Sequence, residues 1–517
     1  METTGNEAAV RPQRVRQQDS APAQPTLRSR VAGGLRWKIL SQVVGQLTRT
    51  VVGILLAHLL TPSQFGLAAM ALVFGGLLSI FKDVALGAAL VQKREITERD
   101  RSTVFWTTIA CGAAIAGIGI AVSPLVAGFF GRPAVGPLFA VTAGTALVYS
   151  LGGTQMALRT RELDFRSLEL REMGATLAGG VAAVTLAVAG AGAWAIILQN
   201  LVVAGVSAAL LWSLSSWRPR LVFSRESLRT LGSFGIKTML SRLLSYANLN
   251  ADNLLVGRFL GSVSLGVYAI AYNVMFLPVT RIAAPITQVM FPAFARLQHD
   301  HEALGRSWIR GTQLVSMVNV PAFLGMAVVA PDFVPVVLGG RWHAAVPVLQ
   351  LLSLAGVMQS FQTLDWSVLQ AVGRSGRLLR YMLFGTAVTV AAFVVGLRWG
   401  VVGVAALFAV ARTITSVTFG WTTCRAIGLP FTTFARGATP VVRVAAPTAA
   451  GVYLLRIGLV SAGLPPAPRL VLLVLAGIAI WGGLIAWQAR DLAAELARLL
   501  LPGVARRLGR TAPVPTR

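Results

Sequence analysis

Charge is scarce in this sequence. Asp, Glu, Lys and Arg make up 13% of its 517 residues, about half the share of a soluble domain, which excludes a chain folded wholly in water. Acids are the scarcer sign: 19 against 46 Lys and Arg, for a formal net charge of +27. Cysteine is confined to Cys111 and Cys424, far apart in apolar surroundings, which excludes a disulfide framework and a cysteine metal site. One histidine-bearing string, His299–Glu302 ("HDHE"), has no supporting ligands and reads as a solvated loop, so no metal is expected. No GxxxxGK[ST] string occurs, so there is no P-loop to hold ATP. Connections such as "LTPSQ", "GRPAVG" and "GAGAW" are too short for an extramembrane domain.

What the chain does have is apolar length. Hydrophobic residues form 55% of it and the mean hydropathy is +0.69. Runs of about 20 residues, enough to cross hydrocarbon, recur from Leu35 to Ala486. About fourteen spans are expected, near 37–60, 65–91, 103–130, 135–158, 173–189, 194–216, 231–256, 265–293, 311–337, 344–372, 381–397, 401–423, 444–455 (extending toward 460) and 470–487. The fold class is an all-α integral membrane protein. Residues 1–34 carry no apolar periodicity and no signal-peptide pattern, and read as a disordered basic tail. Residues 35–220 and 221–428 read as two six-helix lobes and 429–489 as two appended helices; 490–517 is an amphipathic surface helix or a disordered tail.

The basic residues are distributed unevenly. With the N-terminus inside, 34 of the 46 Lys and Arg fall on inner segments, six on outer ones and six within spans. This alternation predicts both termini in the cytoplasm and accounts for most of the net charge without nucleic acid. A repeat is also visible. At a shift of 200 residues Leu55–Ala71 overlays Leu255–Ala271, matching Leu55/Leu255, Leu60/Leu260, Gly66/Gly266 and Ala71/Ala271; near 211, Gly192 meets Gly403. Two parallel, pseudo-symmetric six-helix halves follow, a plan common in transporters, whose sites lie between the halves.

Charge inside a span costs about 2.5–3.5 kcal/mol and demands a reason. The intramembrane set is Arg49, Lys82, Asp83, Lys237, Arg242, Asp252, Arg281, Asp365 and Arg412. Lys237, Ser241, Ser245, Asn248 and Asp252 share one helical face. Lys38, Gln42, Gly45, Gln46, Arg49 and Gly53 share another, on the first span, and Gln359, Gln362, Thr363, Trp366 and Gln370 a third, with Asp365 beside it. Lipid would reject such faces; a wet, cationic cavity between the halves would accept them. The alternative is that they act as glue between helices. Pro278, Pro285 and Pro292 should kink the eighth span.

Three stretches resemble a known family. "LLTPSQFGLAAMALV" with "DVALGAALVQKREIT", "ADNLLVGRFLGSVSLGVYAIAYNV" and "PITQVMFPAFARLQ" are similar to segments of the Wzx-type oligosaccharide flippases of the multidrug/oligosaccharidyl-lipid/polysaccharide exporter superfamily. The likeness covers about Leu35 to Arg425. It departs at Lys82, where the family usually has a small polar residue, so Lys82 is a partner for Asp83 or an added cavity charge. The resemblance implies two bundles around a central cavity and alternating access in a bacterial inner membrane. It also implies a non-enzymatic transporter moving a polyprenyl-diphosphate-linked oligosaccharide to the outer leaflet for exopolysaccharide, capsule or lipopolysaccharide assembly, alongside a polysaccharide polymerase.

A diphosphate would seek basic residues. The binding candidates are therefore Arg49, Lys237, Arg242, Arg281, Arg412, Gln46 and Asn248. Lys82, Asp83, Asp252 and Asp365 are candidates for ion pairs or for a coupling H+ or Na+. No other cofactor is expected, and the default is a monomer. A multidrug exporter is the rival reading, disfavoured by the net basic cavity. A membrane-embedded polymerase or glycosyltransferase would normally need an external loop or an acidic catalytic cluster, and neither is seen.

Overall fold

The computed structural model describes residues 27–82, 86–225, 235–278 and 284–500, and no strand occurs among them. The first helices are α1 (Leu27–Leu59), α2 (Pro62–Lys82), α3 (Leu86–Gln92), α4 (Glu98–Phe130), α5 (Val135–Arg161), α6 (Phe165–Val188) and α7 (Ala193–Leu214). Next come α8 (Gly235–Pro278), α9 (Ala284–Arg296), α10 (His301–Phe333), α11 (Ala345–Gln362), α12 (Asp365–Ala371), α13 (Ser375–Gly396) and α14 (Gly400–Ile427). The last are α15 (Phe431–Gly437), α16 (Thr439–Ser461), α17 (Pro466–Gln488) and α18 (Arg490–Leu500). In hydrocarbon every backbone polar group must be paired internally, and helices do this without partners.

Eleven segments among the described residues are long and apolar enough to cross a membrane. The number falls below fourteen for local reasons. The charged start of α6 keeps it out, α13 and α14 run together as 376–427, and one segment, Leu249–Phe276, stands where two spans are expected. That last segment bends back on itself. Asp252 and Tyr268 would lie about 24 Å apart on a straight helix, yet the Tyr268 hydroxyl donates to the Asp252 carboxylate at 3.0 Å. The reversal is at Gly261, whose φ of +83° only glycine adopts without strain.

Helices α1–α7 pack on one another, as do α8–α14, and α2 joins the two groups by packing along α8. One end of the molecule carries most of the basic residues, on or next to its connections: Lys93, Arg94, Arg99 and Arg101 around 92–98, Arg159, Arg161 and Arg166 around 162–165, and Arg218 and Arg220 after α7. The other end carries short connections of low charge, such as 60–62, 131–135 and 338–345. Capping fixes several starts. Thr97 accepts from the Asp100 amide while Asp100 accepts from that of Thr97, a capping box. The "HDHE" string, expected as a solvated loop, is a helix start: Asp300 accepts from the Ala303 amide at 2.9 Å, and Glu302 pairs with Arg306.

Helices α16 and α17 pack on α10. Buried Asp332 receives the Arg456 Nε at 2.6 Å and the Arg469 Nε at 2.7 Å. Midway, the Trp481 indole donates to the Met317 carbonyl at 3.0 Å. At the basic end, Leu492 and Leu496 of α18 are buried in the main core and Glu495 pairs with Arg310 at 2.8 Å. Helix α18 is therefore docked along its apolar stripe.

Candidate functional site: a basic cleft below a closed end

The end opposite the basic one is shut. Gly66 of α2 lies against the carbonyl of Ser262, and Gly266 against that of Pro62; a Cβ on either glycine would stand 1.7 or 1.9 Å from that oxygen. These four positions exchange under the 200-residue shift, so the two repeats touch reciprocally. The Ser63 and Ser262 hydroxyls meet at 3.0 Å beside them. Trp342, fully buried, meets Phe65 edge-on at 5.2 Å and donates its indole N–H to the Ala57 carbonyl at 2.8 Å. Deeper, the Tyr246 hydroxyl donates to the Val73 carbonyl at 2.6 Å. Small residues permit this approach of two backbones, as at other membrane helix contacts.

Toward the basic end, α1, α5 and α6 enclose a cleft of about 710 Å³. The far half of α1 packs on α6 through Val52, Leu56, Ala183 and Ala187. Its near half turns Lys38, Gln42 and Arg49 to the cleft, opposite Glu169, Arg171 and Glu172. Lys38 pairs with Glu169 at 2.9 Å, and Arg171 pairs with Glu172 at 3.0 Å while donating to the Ser207 hydroxyl at 3.0 Å. Three cations thus face two carboxylates. The unmatched one is Arg49, which is exposed and has no ion-pair partner among the described residues. Gln46 is not part of this wall; its amide donates to the Thr50 hydroxyl at 3.2 Å.

A second pocket, of about 160 Å³, lies within α8–α14. Arg412 and Asp252 line it with Tyr272, Trp366 and Tyr381. Arg412 sits over the Phe408 ring at 4.9 Å, and its Nε has no hydrogen-bond partner among the described residues. Asp252 accepts from Tyr268 and from the Asn253 amide at 2.7 Å; Asp365, fully buried, accepts from the Trp308 indole at 2.9 Å. Neither carboxylate forms an ion pair among the described residues.

Arg49 and Arg412 therefore line two separate pockets, one in each half. Asp83 and Arg281 lie outside the described residues, as do the side chains of Lys82, Lys237, Arg242 and Asn248. Sequence reasoning missed Glu169, Arg171 and Glu172 as cleft residues because they fall in what reads as a basic connection. The available signal was the spacing Phe165, Glu169, Glu172, Thr176, which places them on one face of α6.

The profile of the family described as "Polysaccharide biosynthesis protein" matches residues 55–347. The chain is 30% identical over 399 residues to the lipopolysaccharide biosynthesis protein WzxC of Escherichia coli (strain K12), covering 76% of this chain and 80% of that one. It is 28% identical over 370 residues to the teichuronic acid biosynthesis protein TuaB of Bacillus subtilis (strain 168), covering 69% and 76%. Among solved structures, the lipid II flippase MurJ in an inward closed conformation superposes with a TM-score of 0.67 at 13% identity, covering 88% of this chain and 99% of that one. The chain is a multi-pass membrane protein, and it belongs to the polysaccharide biosynthesis protein family, the Wzx-type flippases of the multidrug/oligosaccharidyl-lipid/polysaccharide exporter superfamily.

Proposed function

We propose that the protein carries a polyprenyl-diphosphate-linked oligosaccharide from the inner to the outer leaflet of the cytoplasmic membrane by alternating access. The observation that carries this reading is the pairing of a shut end at Gly66/Gly266 with a net-cationic cleft at the basic end. The basic end is assigned to the cytoplasm, where Lys and Arg accumulate. The diphosphate enters there and meets Arg49, the cation left unmatched by the cleft's own carboxylates. The polyprenyl tail stays in the bilayer. Two negative charges leaving a negative interior gain roughly 4–5 kcal/mol at 100 mV, which supplies a drive without ATP.

The test is flipping of a lipid-linked oligosaccharide by protein reconstituted in sealed vesicles. Loss of one charge-assisted contact should slow the Arg49→Gln variant by about tenfold or more, whereas Arg49→Lys retains most activity. Equal rates for wild type and Arg49→Gln would remove Arg49 from the substrate path. A rate indifferent to an imposed potential would remove the electrical drive.

A further inference from the structure

A second basic cavity, of about 540 Å³, lies at the basic end between the ends of α4, α5 and α7, away from the α1 cleft. Arg101, Arg159 and Arg161 line it with Ser216, Trp217 and one carboxylate, Glu162. The three guanidinium groups differ in how they are held. Arg159 is matched, pairing with Asp164 at 2.9 Å and with Glu162 at 3.8 Å. Among the described residues Arg161 donates only to neutral acceptors, the carbonyls of Leu90 and Val91 at 3.2 Å and those of Lys93 and Arg94. Arg101 keeps a buried Nε with no hydrogen-bond partner among the described residues. A buried donor left unpaired is costly, and phosphate oxygens are its best-matched acceptors.

The surroundings place this cavity at headgroup depth. It sits where three membrane-crossing helices end, beside Phe105 packed edge-on with Trp106, Trp212 and Trp217 at centroid distances of 5.3, 5.9 and 5.9 Å. Tryptophan gathers at the membrane–water interface. The segment that joins the two halves runs past the cavity and is pinned to α4. Trp217 donates to Glu98 at 2.8 Å, Trp106 to the Arg220 carbonyl at 2.9 Å, and the Ser224 amide to Thr103 at 2.9 Å. Yet Leu221 and Phe223 on that segment are exposed, at 90% and 55%, as side chains meeting acyl chains would be.

We infer that this cavity binds the phosphate of an anionic phospholipid headgroup from the surrounding leaflet, with Arg101 and Arg161 as the cationic contacts. Basic pockets at this depth suit such headgroups. The bound lipid lies against the pinned segment between the halves, so it is a structural lipid and not the transported one.

The test uses the purified full-length protein and counts retained phosphatidylglycerol by native mass spectrometry after exchange into phosphatidylcholine nanodiscs. Wild type should retain phosphatidylglycerol, Arg101→Gln about tenfold less, and Arg306→Gln, an exposed change of the same charge, as much as wild type. Equal loss in both variants would reduce the effect to non-specific charge and overturn the site. A second readout needs no variant: brominated phosphatidylglycerol should quench tryptophan emission more than brominated phosphatidylcholine, and equal quenching overturns the proposal. Inorganic phosphate that displaces phosphatidylglycerol at millimolar concentration would make the ligand a soluble phosphate and overturn the lipid assignment.

Discussion

Replacing Gly66 or Gly266 by alanine tests the closed end directly. The new Cβ at Gly66 would lie 1.7 Å from the Ser262 carbonyl oxygen, where Cβ contacts below 3.0 Å are essentially unknown. The helices must therefore retreat by more than 1 Å, and because the obstacle is backbone no rotamer change relieves it. Overpacking of this kind costs about 1–3 kcal/mol. The penalty applies only where α2 and α8 touch at these residues, so it shifts the balance between closed and open forms by roughly 5- to 150-fold. Spin labels at Arg132→Cys and Arg341→Cys, on either side of the shut end, in a protein with Cys111 and Cys424 replaced by serine, would report this as a longer-distance population. Gly266→Ala should do the same. The double variant should give less than the sum, since both changes strain one contact. Ser63→Ala, which removes only a hydrogen bond, should shift it far less. Distance distributions and thermal stability unchanged in Gly66→Ala would refute the reasoning.

Further changes probe the rest of the molecule. Asp332→Ala strands Arg456 and Arg469, and loss of a buried partner should destabilise by about 3–5 kcal/mol, read as an earlier thermal unfolding of the detergent-solubilised protein. Trp342→Ala should lower stability by about 3–5 kcal/mol through its cavity and raise solvent access at His58, checked by hydrogen exchange. Glu495→Gln at the half-exposed Arg310 pair should change stability by less than about 1 kcal/mol, whereas Leu496→Asp should undock α18 and expose it to protease.

The periodicity of the apolar runs carried most of the fold, because each membrane helix must be apolar over a known length. The repeat was also legible, and the Gly66/Gly266 match proved to mark a contact between the copies. Spacing along one helix does not say which neighbour covers a given face, and the misreadings arise there. Asp365 reads from the sequence as lying beside a polar stripe, but the helix breaks at Thr363–Leu364 and the carboxylate turns inward to Trp308. Asp332 falls within the expected 311–337 span, but its partners lie 124 and 137 residues away, among charges that read as outer connections, so the pairing is not legible. Gln46 shares a stripe with Arg49 but is satisfied one turn away by Thr50.

The reciprocal contact of residues 62 and 66 with 266 and 262 has a bearing on ancestry. An isologous patch, in which i meets j and j meets i, is what two copies of one chain form about a two-fold axis. A half-length progenitor could have assembled as a dimer through this same surface, and fusing two copies end to end would have required no new interface there. Each later change to one glycine's neighbourhood would then have needed tolerance from only one side, leaving the halves free to diverge elsewhere while this small patch held them in register.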